Sequence, residues 1–181
     1  MSNVCKSIII FIFVTFYFAA TSNAQVTSSK ITKVEDANSV QVTQSVEVAE
    51  NSIIVTIHYE NVSNEPILIM EGVWGIAVRG RPKQIYSLAE PEFVVKVDGV
   101  QLDYIGPMVK RYAFTKALFV MFQPKEQSTV FLQIADSFRF LSGKHEYEIV
   151  HHHLQFNDIT DRINVVQSAP VKFIYDSRKL N

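Results

Sequence analysis

Apolar residues recur at every second position through most of this chain, and this period of two constrains its fold more than any other feature. The alternation is clear in three segments, "SVQVTQSVEV" at 39–48, "SIIVTIHYE" at 52–60 and "EFVVKVDGVQLDY" at 92–104. Successive side chains of a β-strand point to opposite faces, so the alternation predicts strands with one buried face. In the third segment Asp98 and Gly99 predict a tight type I′ turn, after which Val100, Leu102 and Tyr104 face the core.

Further apolar segments bring the total to about eight or nine predicted strands, and no segment has the pattern of a convincing amphipathic helix. Only "ADSFRFL" is suited to a single helical turn. Many short strands bounded by turn residues indicate an all-β fold, an immunoglobulin-like antiparallel β-sandwich, with a closed barrel as the alternative. We expect one such domain over residues 39–181, with a core that includes Val55, Ile57, Val95, Leu102, Leu132, Tyr147 and Phe173.

The first 24 residues have the pattern of a signal peptide. Lys6 precedes the apolar stretch "SIIIFIFVTFYFAA", and the small residues Ser22 and Ala24 suit a cleavage site. An uncleaved anchor is the alternative, but the stretch is short for a membrane span of about 20 residues. Cleavage after Ala24 predicts a secreted or periplasmic protein without membrane contact. It would remove the single cysteine, Cys5, and leave residues 25–38 as a loosely ordered leader.

Charge and motif content argue against nucleic-acid binding and against catalysis. The chain has 17 Lys and Arg residues against 18 Asp and Glu, whereas a nucleic-acid partner favours a basic excess. The segment "HEYEIVHHH" resembles a zinc-protease helix, but Ile149 stands where the second histidine of H-E-x-x-H is required. The segment also has a strand pattern, which would place His145 and Glu146 on opposite faces. We therefore predict a protein that is not an enzyme and has no cofactor.

The histidine run leaves a second interpretation open, a metal site. In a strand His151 and His153 project to the same side, and His58 on another strand is the candidate third ligand. A stable zinc site needs three or four ligands, so we favour a solvated or hydrogen-bonded run at a strand end. Asn61 begins the sequon "NVS", which predicts N-glycosylation if the source is a eukaryote.

Two segments combine features of a protein-binding loop. The stretch "VWGIAVRGR" contains Trp74, Arg79 and Arg81, and the loop "YIGPMVKR" contains Lys110 and Arg111. Aromatic residues and arginines are enriched at interface hot spots, so these five residues are candidates for partner contact. The alternative is that Trp74 closes one end of the sandwich and the cations are solvated.

The order of these elements resembles the N-terminal, non-catalytic domain of deuterolysin-type secreted zinc metallopeptidases, including the peptidyl-Lys metalloendopeptidases. The likeness rests on "FVVKVDGVQLDYIGPMVKR", on the turn at Pro124, Lys125 and Glu126, and on "ADSFRFLSGKHEY", and it spans about Val40 to Tyr175. The segment "EGVWGI" replaces the threonine-proline segment of the family. No H-E-x-x-H follows, so no zinc ligand is carried over to this chain.

These observations together predict a secreted or periplasmic, non-enzymatic β-sandwich that binds a protein. The resemblance implies a free-standing prodomain-like partner or inhibitor of a secreted metalloprotease. A cell-envelope structural or adhesion module is the first alternative. A small metal- or ligand-binding protein that uses the run from His151 to His153 is the second.

Overall fold

The computed structural model describes residues 25–28, 40–49, 52–70, 84–88, 91–108, 116–157 and 161–180 of the chain, and these residues form a two-layer β-structure. They contain twelve strands, where about eight or nine were predicted, and two short 3-10 turns. The predicted signal peptide lies outside the described residues. Among the residues that are described, no helix is long and apolar enough to cross a bilayer.

One sheet has five strands in the order β1-β2-β3-β9-β5. These strands are Gln25–Ser28, Val40–Ala49, Ser52–Asn61, Gln127–Gln133 and Ile85–Ser87. All neighbours are antiparallel except β5 and β9, which are parallel. The strand Gln25–Ser28 corrects the prediction of a loosely ordered leader at its first four residues. The remainder of the leader, residues 29–38, lies outside the described part.

The second sheet is built around the longest described strand, β10 (Lys144–Asn157). Its other strands are β4 (Ile67–Met70), β6 (Phe93–Val97), β7 (Val100–Gln101), β8 (Phe119–Phe122), β11 (Arg162–Gln167) and β12 (Val171–Asp176). The main order is β7-β6-β10-β4-β8. The strands β12 and β11 follow one another along the opposite edge of β10.

A β-bulge separates β11 from β12. His152 pairs with Gln167, while Ile149 pairs with Val171, so three residues (168–170) lie opposite two residues of β10. Ser168 holds the bulge in place, because its N–H donates to the His151 carbonyl and its Oγ accepts from the His151 N–H. A bulge bends its strand and sharpens the local twist. The chain can therefore pair with the second half of β10 as β11, bend at the bulge, and pair with the first half of β10 as β12.

The sheets enclose one apolar core, and the predicted antiparallel sandwich is confirmed. Every one of the seven predicted core residues is buried, as are Ile53 and Tyr59 on the same face of β3 as Val55 and Ile57. Gln44 connects the layers, since its Nε2 donates to the carbonyls of Ile149 and Ala169 at 2.8 Å each. The predicted hairpin turn is also present, with Asp98 and Gly99 at φ values of 51° and 79°.

Two local predictions were wrong. Val100 pairs with the buried Val97 but is itself 67% exposed and outside the core, because β7 is a two-residue edge strand that lies beyond the cover of the other sheet. The segment "ADSFRFL" forms no helical turn. Its residues Ala135–Ser137 make a hydrogen-bonded turn instead, and Phe138 forms a β-bridge with Tyr104.

Candidate functional site

The polarity of β10 inverts halfway along the strand. In its first half Tyr147 and Ile149 face the other sheet, and Glu146 and Glu148 face outward, as in an ordinary sandwich strand. In its second half the residues that face inward are polar: His151, His153 and Gln155. The outward positions of that half are His152, Leu154 and Phe156. This half of β10 therefore has a polar group of side chains beneath it and an apolar surface above it.

The inward side chains form a histidine cluster, which we define as Tyr59, Phe93, His151 and His153. The Tyr59 hydroxyl lies 2.7 Å from Nε2 of His151. The Tyr59 ring centroid is 4.9 Å from that of His153, and the Phe93 centroid is 5.0 Å from that of His151. Tyr59 belongs to β3 and the histidines to β10, so the cluster spans both layers of the sandwich.

Burial keeps both imidazoles of the cluster neutral. Loss of solvation, reinforced by the nearby His153, lowers the pKa of His151 to about 3. Loss of solvation lowers the pKa of His153 to about 4. Among the described residues, Nδ1 of His151 and Nε2 of His153 have no hydrogen-bond partner. Buried polar atoms usually have a partner, so these two atoms mark a destabilising local arrangement.

The cluster does not supply the predicted metal ligands. His58 lies on the face of β3 opposite to Tyr59, where its Nδ1 is 3.0 Å from the Thr129 hydroxyl. It is therefore wrong as a third ligand for His151 and His153. Across the described ranges no group of three or more His, Cys, Asp or Glu residues is placed to hold a metal. Of the expected solvated or hydrogen-bonded run, His151 and His153 are not solvated, because both are buried, whereas His151 is hydrogen-bonded to Tyr59.

Above the cluster, four neighbouring strands present an outer apolar face. Phe156 of β10 pairs with Leu68 of β4 on one side and with Ile163 of β11 on the other. Leu68 in turn pairs with Met121 of β8, and Leu154 pairs with Val165. Directly paired residues point to the same face of a sheet. We define the outer apolar face as Leu68, Met121, Leu154, Phe156, Ile163 and Val165.

This face is exposed at Met121 and along β11, and it is covered at Met70 and Phe119, which pair with one another on the same face and are buried. Met121 is 54% exposed, Val165 is 56% exposed and Ile163 is 37% exposed. Near the centre, the Lys116 ammonium lies 5.8 Å from the centroid of the Phe156 ring, a cation–π distance. Scattered exposed apolar residues are normal, but a contiguous patch of them typically marks an interaction site.

The predicted binding loops cannot be placed relative to this face. Trp74, Arg79 and Arg81 lie in residues 71–83, and Lys110 and Arg111 lie in residues 109–115, all outside the described residues. In the described part of "YIGPMVKR", Tyr104 is half-buried and donates to the Pro107 carbonyl at 2.7 Å. Its ring packs edge-on against Phe138, with centroids 5.5 Å apart. The start of this loop is thus anchored to the core.

Asn61 is a structural residue, and its predicted glycosylation was wrong for the folded chain. Its side chain is fully buried, and Nδ2 donates to the carbonyls of Glu65 and Phe122 at 2.9 Å each. Oδ1 accepts from both the amide and the hydroxyl of Ser63. The nitrogen that would carry a glycan is thus enclosed and doubly hydrogen-bonded.

Comparison with known proteins adds no assignment to this geometry. The chain matches no protein-family model. It also matches no curated protein.

The outer apolar face could have been found in the sequence from the segment "HHHLQF". If Tyr147 and Ile149 point inward, every second residue after them does so too, which includes His151 and His153. The residues between these positions, Leu154 and Phe156 among them, then point outward.

Proposed function

We propose that this protein is a secreted or periplasmic, non-enzymatic β-sandwich that binds a partner protein through the outer apolar face. The observation that carries the proposal is the inversion of β10, which places Leu154 and Phe156 outward while His151 and His153 occupy the core. Exposing apolar side chains to water and burying polar ones are both unfavourable. A covering partner removes the first of these two costs.

The magnitude is sufficient for specific binding. Full burial of a Val, Ile or Met side chain is favourable by about 1.5–3 kcal/mol. Met121, Ile163 and Val165 are between 37% and 56% exposed, so each has roughly half of that free energy to contribute. Phe156, at the centre of the face, is an aromatic residue of the kind found at interface hot spots.

We propose a protein without catalytic activity because of where the histidines with the most strongly lowered pKa values lie. His151 and His153 have depressed pKa values, which often mark catalytic sites. Their side chains are 1% and 7% exposed, so a substrate has no access to them. Their perturbation follows from burial in the core.

The location and the first partner to test come from the sequence. The predicted signal peptide supports export, and the predicted cleavage after Ala24 would leave β1 intact. The resemblance to the N-terminal domain of secreted metallopeptidases supports a secreted metalloprotease as that partner, with the protein acting as a prodomain-like ligand or inhibitor.

The test is capture of partners from the native secretome by the tagged, processed chain and by two variants. Met121→Glu places a charge on the outer apolar face, and we expect at least a tenfold loss of capture. Val100→Glu is the matched control, since Val100 is also exposed but lies at the β6–β7 hairpin. Equal capture by both folded variants would refute the proposed surface, and proteolysis by the pure protein would refute the non-enzymatic role.

A further inference from the structure

We infer that β11 is an assembly edge, along which two copies of this chain pair antiparallel about a two-fold axis at Asn164. The outer apolar faces of the two copies then become one continuous surface on a shared sheet. This inference uses the outer apolar face but does not depend on the proposed binding of another protein. Four features carry it: the open backbone, the length of the edge, its apolar pattern and its charges.

The open backbone follows from the alternation of hydrogen-bonding directions in β10. The His152 amide donates to the Glu92 carbonyl on the β6 side, whereas the His151 carbonyl accepts from Ser168 on the β11 side. Peptide groups alternate in direction along a strand, so His153 and Gln155 also bond toward β11. Their pairing partners are Val166 and Asn164. The N–H and C=O groups of Ile163, Val165 and Gln167 consequently point away from β10.

Among the strands of the described residues, β11 has the longest edge that is left open in this way. It has six residues, and its only strand partner in the described part is β10. The neighbouring β12 lies against β2 and β1 of the other sheet. The other terminal strands, β1, β5, β7 and β8, have four residues or fewer. Natural proteins usually protect a long edge with proline, inward charges or a bulge. On β11 such features stand only at the two ends, Arg162 at the first position and the bulge with Pro170 after the last, and the residues from Ile163 to Gln167 contain none of them.

The apolar pattern of β11 matches itself when one copy is reversed. With Asn164 opposite the partner's Asn164, Ile163 lies opposite the partner's Val165, and the reverse pair is equivalent. Both members of each pair face outward, as required for residues directly opposite one another. The row of outward residues then runs from Met121 through Leu68, Phe156 and Ile163 into the second copy.

The charges on β11 permit this pairing and favour an uncharged partner strand. Arg162 is the one charged residue of the strand, and it stands at its first position. In the proposed register Arg162 lies opposite the partner's Val166. The two Arg162 residues are thus offset by four residues, about 14 Å along the strands. That separation exceeds the Debye length of about 8 Å at physiological ionic strength, so their repulsion is screened. A strand that pairs with the uncharged residues from Ile163 to Gln167 should itself be uncharged and should carry two outward apolar side chains. A second copy of β11 meets both requirements.

The decisive experiment is sedimentation equilibrium of the processed full chain over a wide concentration range. An edge contact without a large buried area belongs to the weak class of interfaces, so we expect a monomer–dimer equilibrium with Kd between about 1 µM and 1 mM. A chain that remains monomeric to about 1 mM overturns the inference.

Two double variants test the register. Ile163→Lys with Val165→Lys places like charges opposite one another across the two-fold axis, and we expect at least a tenfold weaker dimer. Ile163→Glu with Val165→Lys places opposite charges in the same positions, and we expect dimerisation to recover. Both variants alter exposed residues, and unchanged melting temperatures confirm that they fold. A dimer of equal strength in both variants would place the contact elsewhere and overturn the inference.

The outcome for the dimer is separable from that for the proposed function. Met121 lies on β8, three strands away from β11 across the sheet. Capture that is lost in Met121→Glu by a strictly monomeric protein would retain the proposed function and reject the dimer. If the β11 variants change dimerisation as expected but Met121→Glu does not change capture, the dimer is retained and the proposed function is rejected.

Discussion

The phenol oxygen of Tyr59 and Nε2 of His151 are 2.7 Å apart, and this hydrogen bond joins the two sheets at their most polar point. Burial raises the pKa of Tyr59 well above its ordinary value, so the phenol remains protonated. Burial also keeps the imidazole of His151 neutral, with a pKa of about 3. Protonation of His151 would place a charge in the core.

This arrangement predicts that the folded state loses stability on mild acidification. The folded-state pKa values of His151 and His153, about 3 and about 4, lie below the ordinary value of 6.5. The unfolded chain therefore binds more protons than the folded chain between these values. The stability is fully present above pH 6.5 and is lost as the pH falls toward 4. At pH 5 the two histidines together account for a loss on the order of 4 kcal/mol.

Denaturant unfolding at pH 7.5 and pH 5 measures this effect. Glu92 precedes Phe93 of the cluster, its carbonyl accepts from the His152 amide, and its charge contributes to the raised pKa of Tyr59, so Glu92 is the acidic residue to control for. In His153→Gln the difference between the two pH values should shrink by about half, whereas Glu92→Gln should change it little. A pH difference unaffected by His153→Gln would assign the acid sensitivity to other groups.

A second prediction concerns metal. Dialysis against a chelator, followed by addition of zinc, should leave the melting temperature unchanged. His151 and His153 provide two ligands at most, and His58 bonds to Thr129 on the opposite face of its sheet. Two ligands do not make a stable structural site. A decrease of several degrees on chelation, reversed by zinc, would restore the metal-binding alternative.

A third prediction compares two apolar residues that the sequence pattern alone treats alike. Leu132 is 2% exposed on β9, whereas Val100 is 67% exposed on β7. Leu132→Ala should lower the free energy of unfolding by about 2–5 kcal/mol, the cost of a core cavity. Val100→Ala should change it by less than about 0.5 kcal/mol. Similar losses at both sites, measured by denaturant unfolding, would contradict this description of the core.

The contrast between Leu132 and Val100 also shows what the sequence could and could not predict. Alternation identified the inner faces of β3, β6 and β9 because strand geometry fixes which side chains share a face. It could not show whether an element of the other sheet covers that face. Val100 pairs with Val97 and follows the predicted turn, yet it extends past the opposite layer. The short strands β1 and β5 were missed for a related reason, since edge strands of three or four residues contain too few positions for a pattern.

The candidate site escaped prediction because histidine is compatible with either face. In "HHHLQF" each of the two sets of alternate residues contains at least one histidine, so the segment alone does not show which set points into the core. The structure fixes it through register: Tyr147 and Ile149 are buried, and a regular strand then turns His151 and His153 inward. The outer apolar face follows from that register and from pairing with β4 and β11, which are distant in sequence.

The last prediction concerns Gly106, which the ring of Tyr104 covers closely. A Cβ at residue 106 would lie 2.7 Å from both Cζ and Oη of Tyr104, and 3.0 Å from Cε2. The Tyr104 ring would have to shift, which disturbs its edge-on contact with Phe138 and the hydrogen bond from its hydroxyl to the Pro107 carbonyl. Gly106→Ala should therefore cost about 1–3 kcal/mol of unfolding free energy, as overpacking of an ordered site typically does.

A double-mutant cycle separates the ring from the backbone as the source of this cost. In a Tyr104→Ala background the obstructing atoms are removed, so Gly106→Ala should be nearly neutral, with a coupling energy of at least about 0.5 kcal/mol. Gly99→Ala is the contrasting control, because Gly99 has open space around it but a φ of 79°. Its cost is backbone strain and should be the same in both backgrounds. If Gly106→Ala also costs the same in both, its cost does not come from the Tyr104 ring.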